Sequence, residues 1–146
     1  MSSWDLGDGI VELPDGRRVR GRGLKRPAPD GSTPDYGVYL TAGEPRIDGW
    51  PYRWLRWRDF RLPHNPSTAI EALYDAHDRC SSERVEIACS GGVGRTGTAI
   101  AVLAIMSGIP PEDAVEWVRR NYHRRAVETP WQRRWVANLR LDGLSA

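Results

Sequence analysis

The sequence contains only two cysteines and one lysine, and it has no long apolar segment. Cys80 and Cys89 are too few for the disulfide scaffold of a small secreted protein. No apolar run approaches the roughly 20 residues that cross a bilayer, and the amino-terminal residues lack the basic and apolar regions of a secretory signal. We therefore expect a cytoplasmic protein with no membrane partner.

The charge pattern argues against two further classes of protein. The formal net charge of +2 is too small for a dedicated nucleic-acid-binding protein, so we expect no nucleic-acid partner. The three histidines show no metal-ligand spacing, and no metal site is predicted. All basic residues except Lys25 are arginine, which suits two-point contact with phosphate. The basic run from Arg17 to Arg26 either attracts acidic phosphopeptides or forms a solvated hairpin.

Length and patterning predict one α/β domain. The 146 residues lie in the size range of a single domain, which we predict over residues 1–146. The turn sequence "PDG" between two short segments from Ile10 to Leu24 predicts a hairpin. A second hairpin-like pair is predicted from "YGVYLTA" and "WPYRWLRW", and "RVEIAC" predicts a buried central strand. With four helices, the pattern is typical of a small mixed central sheet flanked by helices.

Capping signals locate the helices. Ser67 is a candidate cap for the first helix, "TGTAIAVLAIMSG" predicts a central apolar helix, and Pro111 begins a third helix. Thr129 caps the last helix, with Gln132 as its capping-box partner. The residues expected on the buried face of this last helix are Trp131, Trp135, Val136 and Leu139.

The stretch "CSGGVGRT" from Cys89 to Thr96 has the residue types of an anion-binding site. It follows the central strand and opens onto a helix, where free backbone N–H groups and a glycine-rich turn favour negative charge. The same field favours a thiolate at Cys89. Arg95 can make a two-point contact with a tetrahedral dianion, and Thr96 can donate a hydrogen bond to the sulfur. The alternative is a glycine-rich turn around a buried cysteine.

This stretch resembles the Cys-x5-Arg-Thr signature of the protein tyrosine phosphatases, and the resemblance extends from Tyr52 to Val136. "WRDFRLP" is similar to the mobile Trp-Pro-Asp loop of that family, which implies that Asp59 is the general acid and Trp57 the hinge aromatic. "VETPWQRRWV" resembles the glutamine loop, which aligns Gln132 with the residue that positions the attacking water. The capping role of Gln132 is the alternative.

The resemblance implies a two-step reaction through a cysteinyl-phosphate, without a metal or organic cofactor. The residues implied in phosphate and substrate binding are Ser90, Gly91, Gly92, Val93, Gly94, Arg95 and Trp57. Ala88 stands where many members carry histidine, so we expect weaker activation of the thiol than is usual in the family. Cys80 is interpreted as a structural residue at a helix end, with a disulfide to oxidised Cys89 as the alternative.

The expected substrate is a phosphorylated protein or peptide, with phosphotyrosine as the ester and phosphoserine or phosphothreonine left open. The chain length is nearer that of dual-specificity members, whereas the "WRDF" loop is nearer the tyrosine-specific kind. We expect a monomer. Two alternatives use the same loop: a phosphoinositide or RNA 5′-phosphatase, and a non-catalytic phosphotyrosine-binding module.

Overall fold

A mixed sheet of five strands forms the centre of the molecule, which a computed structural model describes over residues 3–141. In spatial order the strands run β1-β2-β5-β3-β4. β1 and β2 form the predicted antiparallel hairpin, and all other neighbours are parallel. The strands are β1 (Ile10–Glu12), β2 (Arg18–Gly23), β3 (Tyr36–Thr41), β4 (Tyr52–Arg56) and β5 (Val85–Cys89). Because four strands are parallel, their carboxyl ends meet at one edge of the sheet.

Four helices complete the predicted α/β fold. α2 is buried along most of its length; it packs on β5 and β2 and contacts the other three helices. A turn of 3-10 helix, Pro111–Asp113, precedes the third helix, so the predicted single helix from Pro111 is divided in two. The helices are α1 (Pro66–Arg79), α2 (Gly94–Met106), α3 (Ala114–Asn121) and α4 (Pro130–Ala137). None of the helices within residues 3–141 is long and apolar enough to cross a membrane.

The two faces of β5 differ in chemistry. Val85 and Ile87 belong to the apolar core with the helices, whereas Glu86 alternates to the opposite face. Its buried carboxylate accepts hydrogen bonds from Arg20 Nη2 at 2.6 Å and Arg22 Nε at 2.6 Å. Tyr39 Oη donates to the other carboxylate oxygen at 2.7 Å. Glu86, Arg20 and Arg22 are therefore all paired, which removes most of the cost of burying these charges.

The basic run on β2 and its turn is largely neutralised within the fold. Arg17 pairs with Asp15 at 2.9 Å, and Arg18 pairs with Glu12 at 3.0 Å. Both remaining arginines of the strand bond to Glu86. The hairpin interpretation of the run is therefore the one that the structure supports.

The predicted hairpin-like pairing of β3 and β4 is wrong, because these strands are parallel. Gly37 pairs with Tyr52 and Thr41 with Arg56, in the same direction along both strands. Residues 42–51 connect them, and ten residues are long enough to return along a strand of six. The consequence is large: the chain leaving β4 emerges at the same edge as the chain leaving β5.

Two local expectations at helix starts also need correction. Asn65, not Ser67, caps α1, since Asn65 Oδ1 accepts from the Thr68 N–H at 3.2 Å and Pro66 takes the first helical position. On α4, Trp131 was expected to face inward but is 50% exposed. Its indole lies over the loop that follows β4, where Nε1 donates to the Phe60 carbonyl at 2.6 Å.

Candidate active site

The loop from Cys89 to Gly94 wraps around the cysteine sulfur at the carboxyl edge of the sheet. β5 ends at Cys89 and α2 begins at Gly94, so four residues make the connection. The Gly92 N–H donates to Cys89 Sγ at 3.2 Å, and Gly92 has a φ of +77°, which glycine adopts without strain. Cys89 is 2% exposed. The sulfur therefore lies at the floor of a loop whose backbone curves over it.

Neighbouring elements fix this loop. The Leu24 N–H donates to the Cys89 carbonyl at 2.9 Å, and the Lys25 N–H to the Ser90 carbonyl at 3.1 Å. The Tyr122 hydroxyl donates to the Gly92 carbonyl. Burial raises the pKa of Tyr122 well above its ordinary value, so the phenol keeps its proton.

Arg95, in the first turn of α2, joins the loop to two other parts of this edge. Its Nη1 donates to the Leu40 carbonyl at 3.1 Å and to the Trp57 carbonyl at 2.9 Å. Its Nε lies 3.6 Å from Asp59 Oδ1 and has no hydrogen bond to any of residues 3–141. The buried guanidinium thus retains an unused donor that faces the carboxylate predicted to be the acid.

The loop after β4, residues 57–63, carries that carboxylate and is termed the acid loop. Trp57 is fully buried, packs edge-on against Trp135, and donates from Nε1 to the Arg61 carbonyl at 2.6 Å. Asp59 remains about half exposed. Phe60 has a φ of +62°, a conformation that costs a bulky residue free energy. The hydrogen bond from Trp131 to the Phe60 carbonyl holds this strained backbone in place.

Gln132 lies fully buried beneath the acid loop. Its Oε1 accepts from the backbone N–H groups of Glu128 and Thr129 at 3.1 Å each, and Nε2 donates to the Arg61 carbonyl at 2.8 Å. The predicted capping box with Thr129 is therefore confirmed. The amide of Gln132 ties α4 to the acid loop, and its role toward a water molecule stays a prediction.

Thr96 is also enclosed, but the hydrogen bond predicted from its hydroxyl to Cys89 is not formed. Within residues 3–141, Oγ1 of Thr96 has no hydrogen-bond partner, and the Gly92 N–H is the donor that reaches the sulfur. The other predicted loop residues range from exposed to buried. Gly91 is exposed, Ser90 and Val93 are half-buried, and Gly92 and Gly94 are buried.

Glu128 is a second carboxylate at the site that sequence reasoning missed. A Cβ placed on Gly94 would lie 2.7 Å from Glu128 Cδ, so the carboxyl group packs directly on the start of α2. Partial burial raises the pKa of Glu128, the nearby Asp59 carboxylate raises it further, and Arg95 offsets part of the shift. One sequence feature could have identified Glu128. It immediately precedes Thr129, which caps α4, and the start of α4 faces the loop around Cys89.

The backbone that presents Glu128 is strained and anchored. Val127 has a φ of +63°, which is costly for a β-branched residue. Arg119 donates from Nη2 to the Val127 carbonyl and from Nε to the Ala126 carbonyl, both at 2.8 Å. Ala126 packs on Gly97 so closely that a side chain there would overlap it. These contacts fix the direction in which Glu128 leaves the chain.

Cys80 lies away from the site. It is a free, buried thiol at the end of α1, and burial raises its pKa to about 12. His77, one turn earlier, contacts Ser107 at 2.8 Å at the far end of α2. Cys89 lies near the start of α2, at the opposite end of that helix from Ser107. Because a helix of 13 residues is about 20 Å long, Cys80 and Cys89 are too distant for a disulfide. The structural interpretation of Cys80 is therefore the one supported.

Comparisons with known proteins agree on one family. The family model for protein-tyrosine phosphatases matches residues 39–132. Tyrosine-protein phosphatase 69D of Drosophila melanogaster is 35% identical over 66 residues, 44% of this chain and 4% of that protein. An uncharacterised protein of Methanocaldococcus jannaschii is 44% identical over 86 residues, 59% of this chain and 53% of that protein. The chain thus spans about half the length of these relatives or less.

A solved structure shares the fold over nearly all of both chains. The crystal structure of Tk-PTP in its active form has a TM-score of 0.65 and 23% sequence identity, and the match covers 90% of this chain and 95% of that chain. At this identity the likeness concerns the fold.

The two adjacent glycines of the loop give a matched test of its geometry. A Cβ on Gly92 would lie 2.6 Å from the Arg22 carbonyl carbon, in a backbone conformation that alanine disfavours. A Cβ on Gly91 would meet no atom of residues 3–141 within 4 Å. We expect Gly92→Ala to lower the free energy of unfolding by about 3 kcal/mol in urea denaturation. Gly91→Ala should change it by less than about 1 kcal/mol. Equal losses in the two variants would contradict the close packing of Gly92 on β2.

The raised pKa of Glu128 predicts a pH-dependent stability effect. In the unfolded chain Glu128 ionises near its ordinary value of 4.5, but in the folded protein it ionises at higher pH. Its ionisation therefore destabilises the fold as the pH rises above 4.5. Glu128→Gln should be more stable than the wild type at neutral pH and equally stable in acid, as measured by urea denaturation across pH.

The control for this measurement is Glu71→Gln, which removes an exposed carboxyl group from α1. A gain of the same size in the control would show that the effect does not arise at the site. A constant difference between Glu128→Gln and wild type at all pH values would contradict the raised pKa.

Proposed function

The chain belongs to the protein-tyrosine phosphatase family, and from this premise we propose that it hydrolyses phosphotyrosine in proteins or peptides through a cysteinyl-phosphate on Cys89. The observation that carries the proposal is the position of Arg95. Its guanidinium is buried between the loop around Cys89 and the acid loop, with one donor unused and the Asp59 carboxylate 3.6 Å away. A phosphoryl group above the sulfur would meet this cation and the loop N–H groups together.

In the first step the Cys89 thiolate attacks phosphorus. The S–P bond forms, the bond from phosphorus to the ester oxygen breaks, and the leaving phenolate takes the electron pair. Asp59 supplies the proton that the leaving oxygen needs, which avoids expulsion of a free anion. Arg95 and the backbone N–H groups of residues 90–94 hold the non-bridging oxygens as their charge changes. The Asp59 side chain is about half exposed and lies 3.6 Å from Arg95, which supports this role because the carboxyl group is accessible to a leaving group.

In the second step a water molecule attacks the phosphoryl group. Its oxygen bonds to phosphorus, the S–P bond breaks, and Cys89 leaves as thiolate while Asp59, now ionised, accepts the proton. We assign Gln132 an indirect part in this step, because its amide is bonded to the backbone of Glu128 and of the acid loop. It is a positioning residue, and it holds the backbone of Glu128, whose carboxylate packs on Gly94 at the start of α2.

The chemistry of the loop supports a phosphotyrosine-like ester over more highly charged substrates. Ser90 and Val93, the side chains that line the loop, carry no charge, and the chain has one lysine. A phosphoinositide or RNA 5′-phosphatase would need more cations there. A module that only binds phosphotyrosine would have no use for Asp59 beside Arg95. That the protein acts as a monomer in the cytoplasm, without nucleic acid, stays a prediction from the sequence.

Substitutions at the nucleophile and the acid test the mechanism. Cys89→Ser should abolish turnover, since an alcohol is not ionised at neutral pH. Asp59→Asn should lower kcat about 10²- to 10⁴-fold for phosphotyrosine. For aryl phosphates with acidic leaving groups the loss should be much smaller, because such groups depart without a proton. Steady-state kinetics on a series of aryl phosphates measures both effects, with Asp48→Asn as a matched surface control.

A Cys89→Ser variant with near-normal activity would refute the cysteinyl-phosphate. An Asp59→Asn loss that does not vary with the leaving group would instead remove Asp59 from the role of acid.

Matched peptides test the substrate class. We expect kcat/KM for a phosphotyrosine peptide to exceed that for the same peptide with phosphoserine or phosphothreonine at least tenfold. The longer phenolic side chain can reach the sulfur of Cys89, a residue that is only 2% exposed. Equal values for the three peptides would show dual specificity, and hydrolysis of none would contradict the proposed function.

A further inference from the structure

A basic cavity is lined by residues at the end of β4 and in the acid loop. It has a volume of about 340 Å³ and is lined by Arg56, Arg58, Arg61, Leu62 and His64. Among residues 3–141, no acidic side chain contributes to the lining. All three arginines are exposed. This cavity is termed the arginine pocket.

The arginines of the pocket differ from the four arginines between Arg17 and Arg22 in having no carboxylate partner among residues 3–141. Each arginine from Arg17 to Arg22 forms an ion pair within the fold. Over residues 3–141, the side chains of Arg56, Arg58 and Arg61 form no hydrogen bond or ion pair. Three unneutralised guanidinium groups around one cavity create a local positive potential that favours an anion. The planar donors suit carboxylate or phosphate in particular.

The backbone of the arginine pocket is fixed before any ligand binds. The His64 N–H donates to the Arg56 carbonyl at 3.0 Å, and the Arg61 N–H to the Arg58 carbonyl at 3.1 Å. The Arg61 carbonyl also accepts from Gln132 Nε2 at 2.8 Å. Since the turn is held at several points, binding an anion requires ordering of the side chains alone, which lowers its entropic cost.

The pocket adjoins the site at which phosphate is proposed to react. Arg58 and Asp59 are consecutive, and Asp59 faces Arg95 across 3.6 Å. The loop from Ser90 to Gly94 itself carries no charged side chain. Any preference for negative charge around the phosphorylated residue must therefore come from side chains outside that loop.

We propose that the arginine pocket binds an anionic side chain of the substrate, so that the enzyme prefers phosphopeptides with a carboxylate or a second phosphate near the phosphorylated residue. The proposal rests on the proposed function and names its substrate class. An extended peptide advances about 3.3 Å per residue, so an anion within a few residues of the phosphotyrosine can reach the neighbouring pocket. Attraction of this kind is weakened by salt.

Three phosphotyrosine peptides of one sequence test the preference: one with neutral flanks, one with glutamates and one with a second phosphate on serine. For the wild type we expect kcat/KM at low salt to be about tenfold higher for either anionic peptide than for the neutral one, equivalent to about 1.4 kcal/mol. The ratio between peptides is the readout, so that overall activity cancels. Comparing the two anionic peptides shows whether carboxylate or phosphate is preferred.

Two of the three arginines, Arg56 and Arg61, are then replaced together. R56Q/R61Q should reduce the ratio toward one, and R56K/R61K should retain part of it because the charge is kept. The matched control R46Q/R134Q removes two exposed arginines outside the pocket and should leave the ratio unchanged. Arg58 is left in place because it adjoins Asp59. Circular dichroism checks that each variant is folded, and the single variants R56Q and R61Q serve if the double variant is not.

The outcomes separate two failures. If the wild type does not hydrolyse the neutral phosphotyrosine peptide, the proposed function itself is wrong. The pocket does not bind the anionic side chains of the substrate if the neutral peptide is hydrolysed but the wild-type ratio of kcat/KM is one. The same conclusion follows if R56Q/R61Q keeps the full ratio. A third outcome would also overturn the assignment of a peptide ligand. In it, a 5′-phosphorylated RNA or phosphoinositide vesicles inhibit the wild type more strongly than the acidic peptide does, and this inhibition is lost in R56Q/R61Q.

Discussion

The two hydrogen bonds from Arg95 to backbone carbonyls hold the site together. One carbonyl belongs to Leu40 near the end of β3, and the other to Trp57, the first residue of the acid loop. A buried guanidinium needs such acceptors, and here they come from two elements distant in sequence. Arg95 therefore sets the spacing between the loop around the sulfur and the carboxylate of Asp59. Through Arg95, each of the two loops therefore helps to stabilise the conformation of the other.

Strand direction decides whether these groups can meet at all. Because β4 is parallel to β3 and β5, the acid loop and the Cys89 loop leave the sheet at one edge. An antiparallel β4 would send the acid loop to the opposite edge, about the length of a strand away. The hairpin expected from local pattern would thus have placed Asp59 far from Arg95. The alternation of side chains along a strand is the same for both directions, so sequence pattern alone could not choose.

Features encoded within a few residues could be predicted, and those that depend on packing could not. The strand, glycine-rich turn and helix around Cys89, like the capping box of Thr129 and Gln132, are formed by adjacent residues. Glu128 was missed because its carboxyl reaches the site only through contact with Gly94, which lies 34 positions earlier in the chain. The expected inward position of Trp131 failed for the same reason, since the acid loop supplies a hydrogen-bond acceptor outside the core.

Two strained residues, Phe60 and Val127, stand next to the two carboxylates of the site. Each is held by a side chain from a helix, Trp131 in one case and Arg119 in the other. The hydrogen bond from Trp131 also affects the fluorescence of the protein. An indole that is half in water and bonded to the acid loop changes its surroundings whenever that loop moves, so its fluorescence would follow loop motion. Trp131, one of seven tryptophans, is therefore a built-in spectroscopic reporter of the acid loop.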